Sequence, residues 1–367
     1  MTKRVFGLSL LLSGLLGCGG SSPAPVTAVA PTRASASSPV AVSLPGGSGP
    51  ADLDYMLVDR SAGKVWVPAG ARGNVAVIDA KTLDVQHVDG FATSVRTLAN
   101  HTFTLGPTAI AMGEGVAYVG SRGDNRICLV DTVNMLRGAC VALGAPDDLS
   151  AAADGMAYVR SAHELWVTRG APTLGVMPPD SSILVFDTSD PRTLKPKAKV
   201  EVPGAAEGYA VDDPHGVFYT NVVDKDLTLA IDIPTHRVRS TWHPQCGSDG
   251  PRGLGVDSAR AIVFVACTEH VVALDAAHGG ALLATAPVGA GIDNVDYVES
   301  RHELFVAAAR PAKLAVLRFE DGKFTVEQTV STARGARVVV ADDAGTAFVG
   351  DPAGGRILVV SAASPVK

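Results

Sequence analysis

Asp54, Glu207, Arg252, Asp293, Asn294 and Arg337 each stand where a short apolar run begins in this 367-residue chain. Two guanidinium groups brought together can hold an anionic group through paired N–H donors, with carboxylates and an amide fixing its orientation. The same residues permit another outcome: Glu207 and Asp54 neutralise the arginines, and the polar groups only satisfy one another. Familiar catalytic signatures are missing. The chain has no Gly-x-Ser-x-Gly elbow, no His-Glu-x-x-His and no phosphate loop. No cofactor is implied.

Residues so far apart in sequence need a scaffold that returns to one place many times. The stretch Asp249–Gly289 shows how. It holds four β-type runs, Gly253–Asp257, Ile262–Cys267, Val271–Asp275 and Leu282–Val288, bounded by Gly, Pro, Asp or Ser. A four-stranded meander of this size cannot bury both faces alone. Its third strand, apolar-x-apolar-Asp, recurs at Val75–Asp79, Ile127–Asp131, Ile183–Asp187, Leu227–Asp232 and Val271–Asp275, with degenerate copies at Leu314–Leu317 and Ile357–Ser361. Seven copies, the later ones spaced by about 43 residues, predict an all-β, seven-bladed β-propeller. The last copy has no fourth strand, and Val40–Gly46 is expected to supply it and close the ring. Aligning the copies puts Asp54, Pro107, Gly155, Glu207, Arg252, Asn294 and Arg337 at one mouth of the channel, with Asp293 beside Asn294. A metal-dependent hydrolase or lactonase using Glu207, Asp293 and Asn294 is the rival reading, but the two arginines beside them oppose a divalent cation.

The runs KVWVPAGARGNVAVIDAKTLDV, from Lys64, and GVAYVGSRGDNRICLVDT, from Gly115, resemble the YVTN-type repeat of YncE-like seven-bladed propellers. So do the runs from Cys246 to Cys267 and from Val288. The resemblance covers about Val40 to the C-terminus and implies a binding or surface protein more than an enzyme. At the other end, Lys3 and Arg4 precede the apolar run Val5–Leu16, a pattern of export. Leu15-Leu16-Gly17-Cys18 is similar to the lipobox of bacterial lipoproteins, which implies lipidation of Cys18. Gly19 rather than Asp follows, which by the same analogy points to the outer membrane. The expected organisation is a signal peptide over 1–18, a Ser/Pro/Ala tether over 19–39 and the propeller over 40–367, with contact to the membrane through the lipid alone.

Export implies an oxidising compartment. Cys128 and Cys140 fall on strands joined by one hairpin, and Cys246 and Cys267 bracket the entrance and second strand of another unit. The favoured pairing is Cys128–Cys140 and Cys246–Cys267, against free buried thiols; the spacing does not suit a metal site. With 31 basic and 37 acidic residues, a net charge of −6 and 5% aromatics, the chain is a poor match for nucleic acid. The loop residues Arg72, Arg122, Arg126, Arg169, Lys225, Arg310 and Lys313 read as a solvated rim. Arg122-Gly123-Asp124 reads as turn chemistry, and His215, His243, His270, His278 and His302 as turn residues. The expected partner of this monomeric scaffold is an envelope protein or a small anionic ligand.

Overall fold

In a computed structural model, residues 38–98, 101–170, 176 and 182–361 are described. The expected leader, Cys18 and nearly all of the tether lie outside them, as does most of the stretch 170–181 between the second and third strands of the third unit.

Seven four-stranded antiparallel sheets form the ring. Blade 1 is β2 to β5 (Leu57–Asp59, Lys64–Pro68, Val75–Asp79, Val85–Val88). Blade 2 is β8 to β11 (Pro107–Gly113, Val116–Ser121, Arg126–Asp131, Leu136–Ala142), and blade 3 is β12 to β15 (Ala153–Val159, Glu164–Arg169, Ser182–Asp187, Lys195–Glu201). Blade 4 is β16 to β19 (Ala206–Asp212, Val217–Val222, Leu227–Asp232, Arg237–Trp242). Blade 5 is β20 to β23 (Pro251–Asp257, Ile262–Cys267, His270–Asp275, Ala281–Pro287). Blade 6 is β24 to β27 (Ile292–Val298, Glu303–Ala308, Lys313–Glu320, Lys323–Ser331). Blade 7 combines β28 to β30 (Val339–Ala341, Ala347–Asp351, Arg356–Val360) with β1 (Val40–Ser43). The stretch between blades 1 and 2 folds as a separate hairpin, β6 (Ser94–Leu98) with β7 (His101–Leu105).

The closing strand pairs as expected, with Val40 opposite Val359 and Ser43 opposite Arg356. Its Val42 packs with Ile357, Phe348 and Val65, so one cluster joins blade 7 to blade 1. The chain between β1 and β2 is clamped from blade 1: Arg72 donates to the carbonyls of Leu44 (2.7 Å), Pro45 (3.2 Å) and Gly49 (2.7 Å).

Each blade interface has its own apolar cluster. The second strands explain why. Each carries a buried aromatic at its third residue, or at its second in blade 7: Trp66, Tyr118, Trp166, Tyr219, Phe264, Phe305 and Phe348. Burying one such ring contributes on the order of 2–3 kcal/mol, and one per blade fills the widening gap between twisted sheets. Outer strands are exposed and more polar, as in β15, KPKAKVE, where Lys and Pro protect a sheet edge. Both expected disulfides are present: Cys128 faces Cys140 across β10 and β11, and Cys246 joins Cys267.

Candidate functional site at the channel mouth

The inner strand of blades 2 to 6 carries a β-bulge at its first residues, for example between Ala153 and Met156 in β12 and between Pro251 and Leu254 in β20. A bulge sets two residues against one and re-aims a side chain. Matching each inner strand to its neighbour by register gives the ring Asp54, Thr108, Asp154, Glu207, Arg252, Asp293 and Arg337. Aligning the copies on the Asp257 position lands one residue early in blade 2, on Pro107, and one residue late in blades 3 and 6, on Gly155 and Asn294. Asn294 instead helps line a cavity of about 170 Å³ further down the channel, together with Asp54, Tyr55 and Tyr209.

The ring is stitched between blades. Arg252 of blade 5 donates to Glu207 of blade 4 at 2.8 Å. Arg337 of blade 7 lies 3.2 Å from Asp293 of blade 6. Asp54 of blade 1 pairs with neither of these arginines. Its partner is Arg122, 3.2 Å away, which also bonds Asp154 of blade 3. Arg122 comes from the end of β9 in blade 2, where the ring residue Thr108 is short and neutral. It is 4% exposed, so the Arg-Gly-Asp turn does not present its arginine to solvent. The other rim cations are exposed or locally engaged: Arg126 lies 3.7 Å from Asp124, Lys225 3.9 Å from Asp224, and Arg169 donates to Ser182.

Burial governs the chemistry here. It pushes the Asp54 carboxyl up to about 7 against the pull of Arg122. Glu207 rises to about 8, through burial first and the charge of Asp154 next. Asp154 is raised for the same first reason. Tyr55 is raised by burial and then by Asp154, Asp54 and Glu207. Its hydroxyl accepts from the Gly208 amide at 3.1 Å and its ring stacks on Tyr209 at 5.5 Å. Gly208 has φ +73, and a Cβ there would collide with the Arg252 carbonyl, so glycine alone fits this close approach. Tyr209 also lines a wider cavity of about 360 Å³ that opens beyond it among the inner strands, so it stands between the two.

No triad or nucleophile–base pair forms at this mouth among the described residues. Among the described residues, no group of three His, Cys, Asp or Glu side chains converges to hold a metal ion. The expected turn histidines lie away from the ring; His215 and His278 bond Asp212 and Asp275. Sequence reasoning missed Thr108 and Asp154 and read Arg122 as a rim residue. The available signal was that blade 2 alone lacked a charged ring residue while carrying an arginine one strand away.

No family model matches this chain, and no curated protein does. Solved structures do. A chain of a mitotic checkpoint complex aligns over 97% of this chain and 99% of its own at 12% identity, with a TM-score of 0.69. The β-propeller domain of Cps50 (Swd1) from Myceliophteria thermophila aligns over 88% and 100% at 10% identity, with a TM-score of 0.66. A chain of Kuenenia stuttgartiensis hydrazine synthase aligns over 86% and 96% at 12% identity, with a TM-score of 0.64. At such identities these similarities establish the propeller fold.

Proposed function

We propose that this protein is an exported, lipid-anchored propeller of the YVTN-repeat, YncE-like kind that acts as a protein-interaction scaffold at the cell envelope. The observation that carries this reading is a groove of about 730 Å³ at the rim between blades 2 and 3. It is lined by Val116, Leu129, Pro191 and Ala139, and bordered by Val133 and Leu136, which are 84% and 64% exposed. Large apolar side chains left open beside a concave surface suit a protein contact. The edge strand beside them, LRGACVA, has only one charge, whereas β15 and β19 carry several. Two disulfides suit an oxidising compartment. A small anion at Arg252 and Arg337 is the weaker reading, because it would have to displace Glu207 and Asp293.

The test is capture from solubilised envelope with the tagged full-length chain as bait. A stoichiometric partner is expected, and it should be lost with Val133→Asp/Leu136→Asp while the bait still melts cooperatively. Retention by that variant would remove the groove from the argument. No partner for the native bait would remove the scaffold reading. Anchoring is checked separately by fractionation: Cys18→Ser should move the protein from membranes to the soluble fraction.

A further inference from the structure

We propose that the channel mouth binds the ammonium group of a primary amine, seated between Asp154 of blade 3 and Glu207 of blade 4. The reason begins with the order of charges. Taken blade by blade, the mouth presents Asp54, Arg122, Asp154, Glu207, Arg252, Asp293 and Arg337. Signs alternate everywhere except once. Seven positions cannot alternate all the way round, so one neighbouring pair must be alike, and in this ring it is Asp154 and Glu207. Four carboxylates therefore face three guanidinium groups, and the missing positive charge belongs at one known place.

A second, independent observation falls on the same two residues. Asp154 Oδ2 and Glu207 Oε2 are buried without a hydrogen-bond partner. Their other oxygens are taken by Arg122 and Arg252. The two side chains belong to residues only 4% and 5% exposed. Buried acceptors left unmatched are costly and rare in folded proteins. An ammonium group supplies one charge and three N–H donors, which suits two open carboxylate oxygens. Calcium and magnesium take six or more oxygen ligands and zinc four ligands, whereas among the described residues no group of even three His, Cys, Asp or Glu side chains converges to hold a metal ion.

An aromatic side chain packs beside the pair. A Cβ on Gly155, next to Asp154, would stand 3.0 Å from the Tyr209 ring. Tyr209 is two residues from Glu207 and stacks on Tyr55. The Tyr209 ring thus sets apolar surface beside Asp154, against which the alkyl stem of the amine would pack.

The groups that bear on the pair are Asp54, Tyr55, Arg122, Tyr209, Arg252, Asp293 and Arg337, with Asp52 acting on Arg122 and Arg337. Glu207 takes up a proton below about pH 8, which cancels the excess charge. Binding should therefore strengthen between pH 6 and pH 9, where an alkylamine with a lysine-like pKa of roughly 10 remains charged.

The experiment is calorimetric titration of the full-length protein in detergent with propylammonium chloride, at constant ionic strength set by sodium chloride. Saturable one-to-one binding is expected at pH 9 and at least tenfold weaker binding at pH 6. Tetramethylammonium, which has the charge but no N–H donor, should not bind. Glu207→Gln and Asp154→Asn should each weaken binding at least tenfold, and Glu207→Gln should also flatten the pH dependence while melting cooperatively. Absence of saturation at pH 9, equal binding by both carboxamide variants, or equal binding of tetramethylammonium would overturn the proposal.

Discussion

The acidic residues at the two faces of the ring experience opposite physics. At the mouth, Asp54, Asp154 and Glu207 are buried, and burial raises them all. On the opposite face, the Asp ending the third strand of blades 1 to 5 sits at a turn. Asp131 accepts from the amides of Val133 and Asn134, both at 2.9 Å, and is lowered. Asp187 is lowered by the hydroxyl and amide of Ser189, and Asp232 by those of Thr235. Amide and hydroxyl donors favour the charged form, whereas loss of water disfavours it. The turn acids act within one hairpin; the mouth acids act between blades. One face stabilises each sheet, and the other holds the sheets in a ring.

The sharpest way to break this contrast is Arg122→Ala. It would leave Asp54 and Asp154 buried without their cation, a loss of about 3–5 kcal/mol and a melting shift of roughly 6 °C or more. Arg126→Ala, four residues away on the exposed rim, should change the midpoint by less than about 1 °C. Equal effects measured by calorimetry would dissolve the distinction.

Cys246→Ser/Cys267→Ser comes next. The bridge spans 21 residues and ties the loop entering blade 5 to that blade. Its removal should cost about 3 kcal/mol in the chain-entropy model, read from denaturant midpoints.

The pH dependence separates the faces by sign. Mouth acids with raised folded pKa values bind more protons folded than unfolded. Their contribution is complete below the unfolded pKa, about 4, and is lost as pH rises through about 7 to 8. Stability should therefore decline from pH 5 to pH 8, and Glu207→Gln should flatten part of that decline. Turn acids do the reverse. Their contribution is present above about pH 4 and is lost as pH falls through their lowered folded values. A melting profile that rises from pH 5 to pH 8 would contradict the first statement.

The smallest effect expected is Asp131→Ala, which removes three turn hydrogen bonds, from the amides of Val133 and Asn134 and the Asn134 side chain, at an open site. A shift of about 1–2 °C is anticipated, with no change in the slope between pH 5 and pH 8.

Much of the molecule is legible in its sequence. The recurrence of an apolar strand ending in Asp, the unpaired last unit and the free strand at Val40 specify a closed seven-bladed ring, because each feature is local and repeats. The disulfide across β10 and β11 followed from one hairpin turn. The mouth was only half legible. Asp54, Glu207, Arg252, Asp293 and Arg337 are at the ring, but Thr108 and Asp154 were missed because the ends of β8 and β12, at Gly113 and Val159, lack the Asp that marks the end of β16 and β20 and so set the alignment one residue out of step. Arg122 hid because it reaches the ring from a neighbouring strand.

Sequence by itself therefore determined the number of blades, the seam and the turn chemistry, since these depend on residues within a few positions of one another. Tertiary structure decided which carboxylate meets which guanidinium. That choice depends on the distance between blades and on the loss of water when they close, and neither is written in any single stretch of the chain.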